Sequence, residues 1–148
     1  LPLQENVHLL QFALDWANAP RKIGQLSYDH GTASLDLSQN ASLVNIIPLV
    51  HLPLRRLDLS DSKVVDLEYA ALPTLQILIA RNVRRLDLKP LKHSYVEELD
   101  LRGSTLKDPK DLLSIPRLKK LTIHKTVLSS ALRNELRKKS VIVLPVAP

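Results

Sequence analysis

Leu52-Pro53-Leu54-Arg55-Arg56-Leu57-Asp58-Leu59-Ser60 decides how the chain folds. Its leucines follow the frame L-x-x-L-x-L. Within it, Leu57-Asp58-Leu59 alternates with period two, the pattern of a short strand that turns its leucines to one side. The same triplet stands at Leu35-Asp36-Leu37 and Leu99-Asp100-Leu101, and Leu78-Ile79-Ala80 and Leu121-Thr122-Ile123 fall in the same frame. Ile142-Val143-Leu144 closes the series. The leading positions 35, 57, 78, 99, 121 and 142 lie 22, 21, 21, 22 and 21 residues apart. Leu54, Leu75, Val96 and Leu118 stand three residues ahead of four of them. Pro53, Pro73 and Pro116 fall just before the frame, where a proline ends the preceding segment without costing the strand a donor.

A strand this short cannot bury its own face. About six of them stacked in parallel, ~4.8 Å apart, share one continuous core. Composition agrees: 32 of 148 residues are leucine and only 3% are aromatic, so the core is built from layers of similar size. The expected fold class is α/β.

The pattern resembles the leucine-rich repeat family over roughly residues 32–145. The resemblance implies a right-handed α/β solenoid, a horseshoe with a parallel sheet on its concave face and a helical N-terminal cap. Units of 21–22 residues carrying L-D-L-S, best matched by 52–60, are similar to those of certain large bacterial proteins. Some of those also carry a serine/threonine protein kinase domain. The implied role is a non-catalytic protein–protein interaction module of a larger bacterial signalling protein, any kinase activity lying in a separate domain. Many family members place asparagine five residues after the leading leucine. Asn40 fits, and Ser62, Val83, Ser104 and Thr126 replace it later. Asn40-Ala41-Ser42 matches a glycosylation acceptor, but its place in the repeat predicts a buried amide. Leu86-Asp87-Leu88 looks like a strand but lies out of frame, and is expected on the convex side or in a distorted turn.

The ends read as caps. Residues 1–31 are expected to form an N-terminal cap, with a helix over about 4–19 and an edge strand. Val7, Leu10, Leu14 and Ala17 make its apolar stripe, broadened by Phe12, Ala13 and Trp16, and Pro20 stops it. Gln25–Tyr28 and Ala33–Leu37 flank Asp29-His30-Gly31, a turn that would join the extra strand to the array. Residues 32–148 hold about six repeats including a C-terminal cap, in which Ser129–Lys139 reads as a helix with a basic last turn. The whole is expected to be one folding unit excised from a longer protein, since it starts Leu1-Pro2-Leu3 and contains no methionine.

Chemistry is sparse. Without cysteine there is no disulfide scaffold, thiolate zinc site or thiol nucleophile, and three glycines leave little room for phosphate-cradling loops. His8, His30, His51, His93 and His124 share no ligand spacing, and no nucleophile-elbow, P-loop or zincin motif occurs. The expectation is no enzyme, no metal and no cofactor. No apolar run nears the ~18 residues of a membrane span, so no membrane segment is expected in this sequence. With no signal-peptide pattern and no cysteine, the lean is cytoplasmic.

The informative surface is the strand face turned away from the leucines. In-register repeats line it with three columns: Ser34, Arg56, Ile77, Glu98, Lys120, Val141; then Asp36, Asp58, Ile79, Asp100, Thr122, Val143; then Ser38, Ser60, Arg81, Arg102, His124. As a recognition face, Asp36 and Asp58 would receive a basic group, and Arg81 and Arg102 would grip a carboxylate or phosphate. Ile77 and Ile79 would supply an exposed apolar anchor. Arg56, Glu98, Asp100, Lys120 and His124 complete the candidate set, Asp100 lying near Arg102 and Glu98 near Lys120. The ordinary alternative is a solvated face of mixed charge. The net charge of +6 divides unevenly: residues 1–50 hold 2 basic and 4 acidic groups, residues 51–148 hold 19 and 11. Arg84, Arg85, Lys89, Lys92, Lys107 and Lys110 fall on connecting segments and suggest a second reading, nucleic-acid or polyanion binding. The columns lack aromatic residues for base stacking, and acids interrupt the field, so a protein partner is expected over nucleic acid. A third reading is a structural spacer that self-associates through the edge at Val141–Leu144, although a monomer is the expectation.

Overall fold

A computed structural model of the chain describes residues 6–147, so positions 4 and 5 of the expected helix lie outside the described residues. Seven strands form one sheet in sequential order. They are β1 (Ser27–Asp29), β2 (Ser34–Asp36), β3 (Arg56–Asp58), β4 (Ile77–Ile79), β5 (Glu98–Asp100), β6 (Lys120–His124) and β7 (Ile142–Val146). β1 pairs antiparallel with β2 across the turn that Asp29-His30-Gly31 opens, and every later pairing is parallel. Two α-helices flank the sheet, α1 (Val7–Ala17) and α2 (Ser130–Lys138). The fold is thus α/β, with a mostly parallel sheet and few helices.

The register puts Leu35, Leu57, Leu78, Leu99, Leu121 and Val143 in one row. The five leucines are at most 2% exposed. The last member corrects the expectation by one residue: Val143, not Ile142, continues the row. Val141 is buried, whereas Ile142 and Leu144 are exposed. The run Val141–Leu144 is apolar throughout, so alternation cannot fix its frame. The end of α2 does, since the Val141 N–H donates to the Leu136 carbonyl at 3.0 Å.

β2, β3 and β5 stop after three residues because of how they end. Asp36, Asp58 and Asp100 each accept the backbone N–H two residues ahead, of Ser38, Ser60 and Arg102, at 2.8, 2.9 and 3.2 Å. This Asx turn competes with strand continuation. The chain then passes through a left-handed residue, at Gln39, Asp61, Asn82 and Gly103. The N–H groups of Gln39, Asp61 and Asn82 donate to the next repeat, at Ser60, Arg81 and Arg102 carbonyls, each at 2.9 Å. Asn40 is buried, and its amide accepts from Gly24 and Gln25 and donates to Gln25 and Leu37 carbonyls. Ser104 does related work three repeats on: its hydroxyl donates to the Ala80 carbonyl and accepts the Val83 N–H. A buried Val83 in that column therefore leaves no orphaned donor.

The connections repeat as well. Asn45, Asp66, Asp87 and Asp108 cap the following turn through the N–H of Ile47, Glu68, Lys89 and Lys110. Short 3-10 segments follow each cap, at Ile47–Leu49, Glu68–Ala70, Lys89–His93 and Pro109–Ser114. Leu86-Asp87-Leu88 belongs to this second series, and Arg85 just before it is left-handed, at φ +56°, so the turn leading into it departs from the other repeats as expected. Asp66 bridges Asp87 and Leu86 bridges Leu106, both in parallel, and Leu86 and Leu88 are buried.

At the start of the chain, Leu10 and Leu14 of α1 enter the core. Asn18 fastens the helix end, donating to the Leu14 and Asn45 carbonyls and accepting from Val44 and Asn45. Phe12 and Trp16 do not broaden the buried stripe: they are 70% and 78% exposed. The inward stripe of an 11-residue helix on one sheet edge is narrow, and residues 12 and 16 fall on the opposite side.

Candidate partner-binding face

The sheet face opposite the leucine row carries the side chains before and after each leading residue. Arg56, Ile77, Glu98 and Lys120 stand in register on β3 to β6, with Ile142 next on β7. Asp36, Asp58, Ile79, Asp100, Thr122 and Leu144 form the second row. A depression of about 360 Å³ opens across β3–β7. Among its lining residues are Arg56, Ile77, Ile79, Arg81, Glu98, Asp100, Arg102 and Lys120, so eight candidate residues meet at one place. Asp36, Asp58 and His124 share the sheet but lie outside that lining. Thr122 and Leu144 line it too. Leu144 was not legible as a face residue, because the ambiguous frame of β7 assigned it inward.

Asp100 organises the centre. Its Oδ2 accepts from Arg81 Nε and Nη2 at 2.9 and 2.7 Å, and from Arg102 Nη2 at 2.7 Å. Its Oδ1 accepts from Arg102 Nε at 3.1 Å and from the Arg102 N–H. The two arginines therefore already hold a carboxylate of this chain. Burial alone would raise the Asp100 pKa, but the hydrogen bonds from Arg102 and Arg81 outweigh it and hold it below the ordinary carboxylate value. The Arg102 pKa is raised in return, through its hydrogen bond to Asp100. The lateral partner expected for Glu98 is present: Lys120 Nζ lies 3.7 Å from its Oε2.

Two expected roles change. Asp36 and Asp58 are not open acceptors only, since one oxygen of each closes an Asx turn. Ile79 is not an exposed anchor: it is 4% exposed, between Asp58 and Asp100 in register, where Arg81 and Arg102 crowd the same part of the face. Ile77 is half-buried, so the outward apolar surface comes from Ile77, Ile142 and Leu144.

The basic flank is electrically mixed. A second, larger hollow of about 700 Å³ at the connections is bordered by Asp66, Glu68 and Asp87 against Lys89, Lys92 and Lys107. Lys107 pairs with Asp87 at 3.1 Å. The Asp87 carboxyl titrates below its usual range, mainly through the Lys89 N–H and then Lys107. Asp111 goes the other way, raised first by burial and then by Asp108 and Asp87. Among the described residues no helix is long and apolar enough to cross a membrane, and no group of three or more His, Cys, Asp or Glu is placed to hold a metal ion. Comparison with protein-family models, with curated proteins and with solved structures finds no match to the chain.

Proposed function

We propose that the chain is a leucine-rich repeat module, a right-handed solenoid with its parallel sheet on the concave side and α1 as the N-terminal cap. Sequential strand order, intervals of 21 or 22 residues and a single leucine row support this reading. Right-handed crossovers are the overwhelming rule for parallel connections. Its function is to bind another protein through the outward sheet face, without catalysis, within a larger signalling protein of the bacterial type.

One observation carries the reading. Across β2–β6 the inward position is leucine every time, while the outward position before it runs Ser34, Arg56, Ile77, Glu98, Lys120. A core repeats because packing repeats. An outward face that does not repeat, and that opens a depression lined by both charged and apolar side chains, suits one particular partner. The polyanion alternative loses support from the flank, where three carboxylates line the same hollow as Lys89, Lys92 and Lys107.

A peptide-display selection against the chain tests the proposal. Selected peptides should lose about tenfold or more in affinity toward Ile77→Asp and Lys120→Glu variants whose thermal melts remain cooperative. Unchanged affinity toward both folded variants contradicts the use of this face.

A further inference from the structure

Resting on that reading, we infer that the partner presents an acidic extended segment, with two carboxylates about four residues apart. The depression is lined by four cations, Arg56, Arg81, Arg102 and Lys120, and two carboxylates, Glu98 and Asp100. Exposure widens the imbalance. The Arg81 and Arg102 side chains are 41% and 40% exposed, while the Asp100 side chain between them is 17% exposed. An approaching group therefore meets two guanidiniums before it meets the acid that orients them. Asp100 spends its two oxygens on both arginines and on the Arg102 N–H, and one carboxylate neutralises only one of two cations. Each guanidinium keeps further N–H donors in a planar fork, already fixed in place, which is the geometry that suits a second carboxylate.

The second cationic point is Arg56. Its side chain makes no hydrogen bond or ion pair among the described residues, and it is exposed. It stands in the row of Ile77, whereas Arg81 lies four residues further along the chain. Four residues of extended chain span about 13 Å. A segment running along this direction places one carboxylate on the Arg81–Arg102 pair and another on Arg56, beside the half-buried Ile77 that stands level with it on β4. Lys120 is partly committed to Glu98 at 3.7 Å and contributes less. A continuous polyanion suits the face poorly, because Glu98 sits on the rim and no aromatic side chain lines the depression.

Fluorescence anisotropy on the full chain tests the inference with a labelled peptide carrying two glutamates four residues apart. Replacing both glutamates by glutamine should weaken binding about tenfold or more, as expected for losing charge-assisted hydrogen bonds. Arg56→Glu should weaken the acidic peptide similarly and recover affinity when the matching glutamate is changed to lysine. Because Arg56 is exposed and holds no side-chain partner, this swap leaves the fold intact and needs no disruption of Asp100. Equal affinity for the glutamate, glutamine and lysine peptides overturns the inference, while leaving open that the face binds other proteins. Poly-uridine RNA competing as well as the acidic peptide, with a similar salt slope, overturns it in favour of general polyanion binding. Loss of selected display peptides' sensitivity to Ile77→Asp and Lys120→Glu would instead remove the underlying use of the face.

Discussion

At the residue scale, the aspartates of the L-D-L triplets serve the backbone before they serve any partner. Asp36, Asp58 and Asp100 occupy the same repeat position and make the same Asx turn, and only Asp100 has recruited arginines. Asp100→Asn keeps an acceptor for the Arg102 N–H but loses the charge. Because the folded-state pKa of Asp100 is depressed, its contribution is present above the unfolded value, ~3.9, and is lost as pH falls through the lower folded value. Denaturation followed from pH 7 into the acid range should show roughly 1 kcal/mol less stability for Asp100→Asn at pH 7, with the gap closing on acidification. A constant gap would contradict the assignment. Gly103 is the second residue whose chemistry is fixed by position. Its φ is +74°, and a Cβ there would collide with the Asn82 Oδ1. Asn82 would have to turn away and release its bond to Asp61 at 2.9 Å. Gly103→Ala should cost about 1 kcal/mol or more in urea denaturation, and part of that cost should vanish in an Asn82→Ala background.

At the element scale, the helices and turns divide sharply between core and surface. Leu14 is fully buried and Phe12 is 70% exposed, one half-turn apart on α1. Leu14→Ala should cost about 2–5 kcal/mol, and Phe12→Ala should stay within about 0.5 kcal/mol, both measured by chemical denaturation. The contrast also marks what sequence could and could not tell. Leu10 and Leu14 were legible because helical spacing pairs them, but Phe12 and Trp16 are as apolar, and only the sheet edge behind α1 decides which side is inside. The strands β2–β6 were legible because a leucine leads each triplet at a fixed interval. β7 was not, because four apolar residues in a row carry no phase and α2 sets it. The second series through Leu86-Asp87-Leu88 escaped for a related reason: Asp66 and Asp87 mark it, but Val65-Asp66-Leu67 and Leu106-Lys107-Asp108 do not look alike as text. They align only through the caps they make.

At the scale of the whole molecule, the sheet has an outer edge at β7, and its chemistry bears on association. The Ile142 N–H donates to the Lys119 carbonyl, so in this parallel pairing residues 143 and 145 direct their nitrogens away from β6. Residue 145 is proline and offers no N–H, which blunts the edge as a template for another strand. Light scattering should therefore report a monomer of 16.6 kDa, and Pro145→Val should raise self-association. A wild-type dimer that the substitution leaves unchanged would contradict this role of Pro145. Of the candidate site, the columns across β2–β6 were legible as soon as the interval was known, with their β7 members one residue off, and so were the Asp100–Arg102 and Glu98–Lys120 neighbours. The burial of Ile79 was not, because the two arginines that share its part of the face are held there by a carboxylate on the next strand. The most direct test of the central claim is an NMR titration of the labelled chain with a display-selected peptide. The account predicts that the largest amide shifts map to Arg56, Ile77, Arg81, Arg102 and Lys120 on the outward sheet face. Shifts confined to α1 or to the connecting segments at residues 89–93 and 109–114 would contradict it.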